Sequence, residues 1–211
     1  MTGERLSIEV TADVVCPWCW LGWRRLKRAL ALKPDVKADI IWRAFQLNPG
    51  MPAEGADYKE YMAKKFDPAR MQKAQAMLTE LGAEEGIAFQ FEKIKRAPNT
   101  NAAHRLIRWA QADGKLDAVA EGVMRAYFAE GRFIGDEKEL VDIGAAAGMN
   151  RALILQKFTQ GLDIDAIRAD HAAAEDSGVS GVPFYLMGGK IRVEGSYPAP
   201  DLAEEIAAAV K

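Results

Sequence analysis

The sequence predicts an α/β fold in which a large helical block divides a small sheet into an N-terminal β-α-β half and a C-terminal β-β-α half. Three observations predict it. Leu6 to Thr11 alternates apolar Leu6, Ile8 and Val10 with polar neighbours, as a strand does, and runs through a short turn into the helical stretch DVVCPWCWLGWRRLKRALAL. From about Asp57 to Asp176 the apolar residues recur at helical spacing. After Gly178 strand patterns return around Gly188-Gly189. Neither half holds enough strands for a stable sheet alone, so the two must pair. The expected division is 1–50 with 178–211 as one discontinuous α/β domain and 51–177 as an all-helical insertion.

A chain of 211 residues suffices for one domain with a sizeable insertion. Its formal net charge of -2 leaves no electrostatic footprint for nucleic acid or an anionic membrane surface. No apolar run is long enough to cross a bilayer. The N-terminal MTGERLSIEV lacks the basic and apolar regions of a secretory leader. The expectation is a cytoplasmic protein, in a compartment that keeps thiols mostly reduced.

The elements follow in order. The first helix carries Trp23, Leu26 and Leu30 on one stripe, with Arg24, Arg25, Lys27 and Arg28 elsewhere; that basic cluster reads as a solvated face. Val36 to Leu47 reads as the second strand. Ile40, Trp42 and Ala44 share one face and Ile41, Phe45 and Leu47 the other, which predicts an interior strand covered by helices on both sides. With the first strand and helix it makes a parallel βαβ unit, ended by Asn48-Pro49-Gly50.

Tyr58, Tyr61 and Met62 open the helical block, and Pro68 to Leu81 continues it with Met71, Ala74 and Leu78. Ile87 to Phe91 is ambiguous between helix and extended chain. Asn99 is placed to cap a helix bearing Ala103, Leu106, Ile107 and Ala110. Leu116 to Phe128 carries a continuous apolar stripe. Asp136 with Glu139 reads as a capping box, and Asn150 starts the next helix. A last helix runs from near Asp163 to Gly178. No period repeats, so the block is compact and not a solenoid. Phe184 to Met187, a two-residue Gly188-Gly189 turn and Lys190 to Glu194 then form a hairpin whose second strand is an edge. The closing helix turns Leu202, Ile206 and Val210 inward.

The chemistry lies in Cys16 and Cys19. A strand, a turn and a helix deliver both thiols to a helix N-terminus, whose unpaired N–H groups carry partial positive charge. Such a site stabilises the thiolate, the nucleophile of disulfide exchange. Cys16 comes first and is expected to be exposed; Cys19, one turn on, can attack a mixed disulfide formed at Cys16. Pro17 suits the first turn, where a missing N–H costs nothing. A zinc site needs four ligands, and the chain offers only His104 and His171 besides these two cysteines. Two inert buried thiols are the plain alternative. Their spacing between a strand and a helix fits a redox pair better.

Read together, DVVCPWCWLGWRRL, WRAFQLNPGMP, RAPNTNAAHRL, AYFAEGRFIGD and SGVSGVPFYLMGGKIRVEGSYP make the chain resemble the DsbA-like branch of the thioredoxin superfamily, and more narrowly its FrnE-like cytoplasmic oxidoreductases. The resemblance implies a thioredoxin-like fold with a helical insertion, catalysing thiol–disulfide exchange. It also implies that the Val182-Pro183 bond is cis and lies beside the cysteines, where the Val182 backbone could hold an extended substrate as an added strand. Without it, a trans-proline opening a strand is the simpler reading. Trp18, between the cysteines, is a candidate substrate contact or a simple apolar lid; Trp20 and Trp23 read as packing. Asn99, Thr100 and His104 lie in the stretch that borders the active-site groove in related folds. His104 is a candidate substrate contact, against the alternative of a structural hydrogen bond.

Three functions compete. The first is a reductase or isomerase acting on a thiol- or disulfide-containing protein or small molecule, with glutathione as one conceivable co-substrate and no bound cofactor or metal. The second is a glutathione-dependent isomerase or transferase, similar to 2-hydroxychromene-2-carboxylate isomerase and kappa-class glutathione transferases, which tend to carry serine where this chain has Cys16. The third is a holdase using the groove between the two domains. The apolar helical faces could support a homodimer.

Overall fold

The computed structural model describes residues 5–211. The start of the N-terminal segment, on which the leader reading partly rests, lies outside the described residues. Strand β1 (Leu6–Ala12) leads into helix α1 (Pro17–Ala31), and β2 (Ala38–Ala44) follows. β1 pairs with β2 in parallel, Ile8 opposite Ile40 and Val10 opposite Trp42. The chain returns to the sheet at β5 (Phe184–Met187) and β6 (Ile191–Glu194), both antiparallel to their neighbours. The order is β2-β1-β5-β6, so β1 is central and is bonded on both sides by strands from opposite ends of the sequence. Helix α9 (Ala199–Ala209) packs along α1 and reaches β5 and β6. This is the thioredoxin-like arrangement that the family resemblance implies.

β2 is an edge strand and not an interior one. Its two apolar faces report coverage by helices instead. Trp42 meets Trp23 of α1, and Phe45 beyond the strand end meets His171. The open edge is partly closed by a side chain: Gln111 Oε1 accepts the Trp42 backbone N–H at 2.6 Å, which satisfies a donor that an edge strand leaves unpaired.

The intervening block holds α2 (Tyr58–Lys65), α3 (Pro68–Glu84), α4 (Asn101–Ala112), α5 (Leu116–Phe128), α6 (Glu137–Ala146), α7 (Arg151–Thr159) and α8 (Ile164–Asp176). A two-residue ladder, β3 (Ala56–Asp57) with β4 (Arg96–Ala97), also sits within it, and Phe91–Lys93 forms a single 3-10 turn. Asp57, Asp67, Asp136 and Asn150 each accept a backbone N–H at a helix start. Several local expectations are corrected. Thr100, not Asn99, is the cap residue of α4; Asn99 stands one position earlier and accepts from Asn101 N–H at 2.9 Å. Glu139 does not complete a capping box, because Arg132 takes its carboxylate at 2.6 Å. The β5–β6 turn has three residues, since Met187 pairs with Ile191; Gly188 and Gly189 supply its two positive φ angles. Val210 falls at the helix end and is 52% exposed, so only Leu202 and Ile206 of the closing stripe point inward.

The basic cluster of α1 is solvated only in part: Arg28 is exposed, but Arg25 is buried and all four side chains are paired. Arg24 grips Glu121 through Nε and Nη2, Lys27 reaches Asp117, and Arg25 and Arg28 share Glu85. Trp20 and Trp23 donate their indole N–H groups to the same Glu121 and Asp117. α1 is thereby tied to α5 and to the end of α3, and one continuous hydrophobic core runs from the sheet through α1 into α4 and α5.

Candidate active site

Cys16 is the residue immediately before α1, with extended φ and ψ of -91° and 113°, and Pro17 opens the helix. The Cys19 and Trp20 N–H groups close back on Cys16 O, at 3.0 and 3.4 Å. Both cysteines are free thiols. The expectation that Cys16 is exposed needs correcting: it is 5% exposed, and Cys19 is 2% exposed. The difference between them lies in what they face. Cys16 lines a cavity of about 490 Å³, whereas Cys19 does not. Cys19 is enclosed behind it; burial first, and then the hydrogen bond and charge of the Cys16 thiol, push the Cys19 thiol well above its ordinary range.

The Val182–Pro183 peptide is cis. The Cys16 thiol donates to Val182 O at 3.5 Å, and Val182 lines the same cavity, as do Pro17 and the half-buried Trp18. Pro183 itself packs under α1. A methyl group at Gly22 would come within 2.3 Å of the Tyr185 hydroxyl and 2.9 Å of Pro183 Cγ, so glycine permits this close approach of helix to strand. The Tyr185 hydroxyl is buried with no hydrogen-bond partner among the described residues, and burial, followed by the nearby cysteines, pushes its ionisation to higher pH.

Two expected site residues belong elsewhere. His104 is 0% exposed and wholly engaged. Its Nδ1 accepts the Trp42 indole N–H at 3.2 Å, which leaves Nε2–H to donate to Asp13 Oδ1 at 3.2 Å and Phe45 O at 3.0 Å. It is a strut beneath the site, with no exposed surface of its own. Asn99 faces a second cavity, and its side-chain amide donates to Met51 O at 2.6 Å. His171, without a motif, is likewise structural: its Nδ1 accepts the Gln46 N–H at 3.3 Å.

Sequence reasoning missed Asp13 and the α2–α3 wall. Asp13 lines the cavity three residues before Cys16, fully buried, with Oδ2 accepting the Leu47 N–H at 2.8 Å. An acid in an otherwise apolar strand end, just ahead of the cysteines, was the available signal. Tyr58, Tyr61, Met62 and Met71 read as helical stripes, yet they face the cavity. Among the described residues no three His, Cys, Asp or Glu side chains converge as a metal site, and no helix is long and apolar enough to cross a membrane.

A thiol pair at a helix start, beside a cis-proline loop on a four-stranded sheet, is the arrangement of a thioredoxin-like domain. The DSBA-like thioredoxin domain model matches residues 7–207, and the chain belongs to that family. It is similar to the crystal structure of a probable DsbA oxidoreductase from Streptomyces coelicolor, at 25% identity and a TM-score of 0.86, over 97% of this chain and 90% of that one. It also shares its fold with the cytosolic disulfide reductase DsbM from Pseudomonas aeruginosa, solved with GSH, at 18% identity and a TM-score of 0.68 over 96% and 97% of the two chains. A 2-hydroxychromene-2-carboxylate isomerase is equally alike in fold, at 16% identity and a TM-score of 0.68 over 96% and 93%. The fold alone therefore does not choose between redox and isomerase chemistry.

Proposed function

We propose that the protein is a dithiol reductase or isomerase in which Cys16 is the attacking sulfur and Cys19 the resolving one. The observation that carries this reading is the asymmetry of the pair: Cys16 lines a cavity at the helix start, and Cys19, held protonated by burial, lies behind it. Cys16 as thiolate attacks a substrate disulfide and releases one substrate thiolate. The Cys19 thiol then loses its proton and attacks Cys16 Sγ, releasing the second substrate thiolate and leaving a Cys16–Cys19 disulfide. Val182 O, now taken by the Cys16 thiol, loses that donor when Cys16 ionises and becomes available to a substrate N–H. Asp13 and His104 are proposed to act only by holding the strand end that carries the cysteines. A cytoplasmic location fits this direction of electron flow, because a reducing compartment keeps regenerating the dithiol.

The glutathione-dependent reading stands second, supported by the shared fold with an isomerase and weakened by the presence of both thiols. Disulfide exchange in Cys16→Ser and Cys19→Ser proteins separates the two. Cys16→Ser is expected to abolish exchange, and Cys19→Ser to accumulate a mixed disulfide visible by mass. Full exchange activity in Cys16→Ser contradicts the proposal. Tight non-covalent glutathione binding to the reduced protein, without oxidation, favours the second reading.

A further inference from the structure

The cavity in front of Cys16 has a character of its own. Its far wall is α2 and α3, and α2 contains no buried residue at all. Tyr61 and Met62 of α2, with Met71 of α3, turn their apolar surfaces into the cavity instead of into a core, while Tyr58 lines the cavity and also packs against the core. Helices that spend their apolar face in this way are lining a binding space. The charged lining is equally one-sided. Lys65 and Arg70 stand on this wall, and neither forms an ion pair among the described residues. Lys65 donates only to neutral groups, Tyr61 OH at 3.1 Å and Leu47 O at 3.4 Å. The acid that lines the cavity, Asp13, is already bonded to His104 and to the Leu47 N–H. With 5% exposure, Cys16 is reached through this space and not across a flat surface.

We propose that the cavity takes a small-molecule thiol or its disulfide with an apolar body and an anionic end, the body lying on Tyr61, Met62 and Met71, the anion between Lys65 and Arg70, and the sulfur at Cys16. This presupposes the dithiol chemistry proposed above. With the oxidised protein, a ligand thiolate attacks Cys16 Sγ and the Cys16–Cys19 bond breaks. Cys19 leaves with the electron pair and takes a proton from water. A second ligand thiolate attacks the ligand sulfur of the mixed disulfide, and Cys16 leaves as a thiolate. Two ligand thiolates have become one ligand disulfide, and the protein has gained two electrons.

The test uses three alkyl thiols of similar reactivity: 6-mercaptohexanoate, its uncharged counterpart 6-mercaptohexanol, and the shorter anion 3-mercaptopropionate. Each is mixed with the oxidised full-length protein, and the reduction rate is followed by tryptophan fluorescence. Two exposed cations acting together are expected to favour the hexanoate over the alcohol by about fivefold. Three further methylenes, partly buried, are expected to favour it over the propionate by roughly tenfold. In a Lys65→Gln/Arg70→Gln protein the rate advantage of the hexanoate over the alcohol is lost. Equal rates for acid and alcohol in the wild type, equal rates for the long and short acids, or equal slowing of both long thiols in the variant each overturn the assignment. Dithiothreitol separates the two levels. If it reduces the pair while the three thiols show no preference, only the cavity assignment fails; if no reducible Cys16–Cys19 bond forms, the dithiol reading fails with it.

Discussion

Helices α4 and α5 on one side, and α2 and α3 on the other, belong to the same inserted block but do opposite work. α4 and α5 each bury seven residues, Leu106, Ile107, Val123 and Met124 among them. α3 buries two residues in 17, and α2 none. The first pair is a floor: it extends the core of the sheet, closes the β2 edge through Gln111, and anchors α1 through Glu121 and Asp117. The second pair is a wall, with its apolar side turned to a cavity. Stability is concentrated where the thiols are supported, and apolar surface is left available where a ligand must be received.

Perturbing the floor should have the largest effect. Leu106→Ala removes a fully buried side chain and is expected to cost about 3–5 kcal/mol in urea unfolding; a loss below about 1 kcal/mol would mean that α4 is not part of the main core. His104→Leu comes next. It strips Asp13 Oδ1 and the Trp42 indole of a partner while Asp13 Oδ2 keeps the Leu47 N–H, among residues that are nearly or fully buried, at an expected cost of roughly 2–4 kcal/mol. If His104 were instead a substrate contact, stability would hold and turnover alone would fall.

A smaller effect should appear with pH. Burial raises the folded Cys19 thiol above its ordinary range, so on raising the pH the unfolded chain gives up that proton first. The stability this group provides is complete below about pH 8.5, the ordinary thiol value, and is lost as the pH climbs toward the folded value. Unfolding of the reduced protein at about pH 7 and about pH 9.5 should show a loss, on the order of 1 kcal/mol, that Cys19→Ala does not share. Equal losses in both proteins would remove Cys19 as the cause. Smallest of all is the wall: Met62→Ala, on a half-buried position, should change stability by about 0.5 kcal/mol or less while slowing reduction by long apolar thiols. A core-sized destabilisation there would erase the contrast between wall and floor.

What the sequence made legible is what depends on neighbours in the chain. Cys16, Pro17 and Cys19 at a helix start, the paired glycines of the last hairpin and the stripe from Leu116 to Phe128 are all local patterns, and each appears where its spacing placed it. Apart from small corrections at caps and turns, the misreadings concern partners far along the chain. Apolar residues on both faces of β2 report helical cover, which an edge strand also receives here, though less fully than the interior β1. Arg24, Arg25, Lys27 and Arg28 look unpaired because Glu85, Asp117 and Glu121 lie at least 57 residues away. The Tyr61 and Met62 stripe looks like core because periodicity tells which face is apolar and not what that face meets. For the same reason His104 could be placed near the site but not beneath it.

The central claim is that the two thiols are chemically unequal. The most direct measurement is brief alkylation of the reduced, native protein with iodoacetamide near neutral pH, with the modified residue located by mass spectrometry. The account predicts label on Cys16 and none on Cys19 until the protein is unfolded. Equal labelling of both, or labelling of Cys19 first, would contradict it.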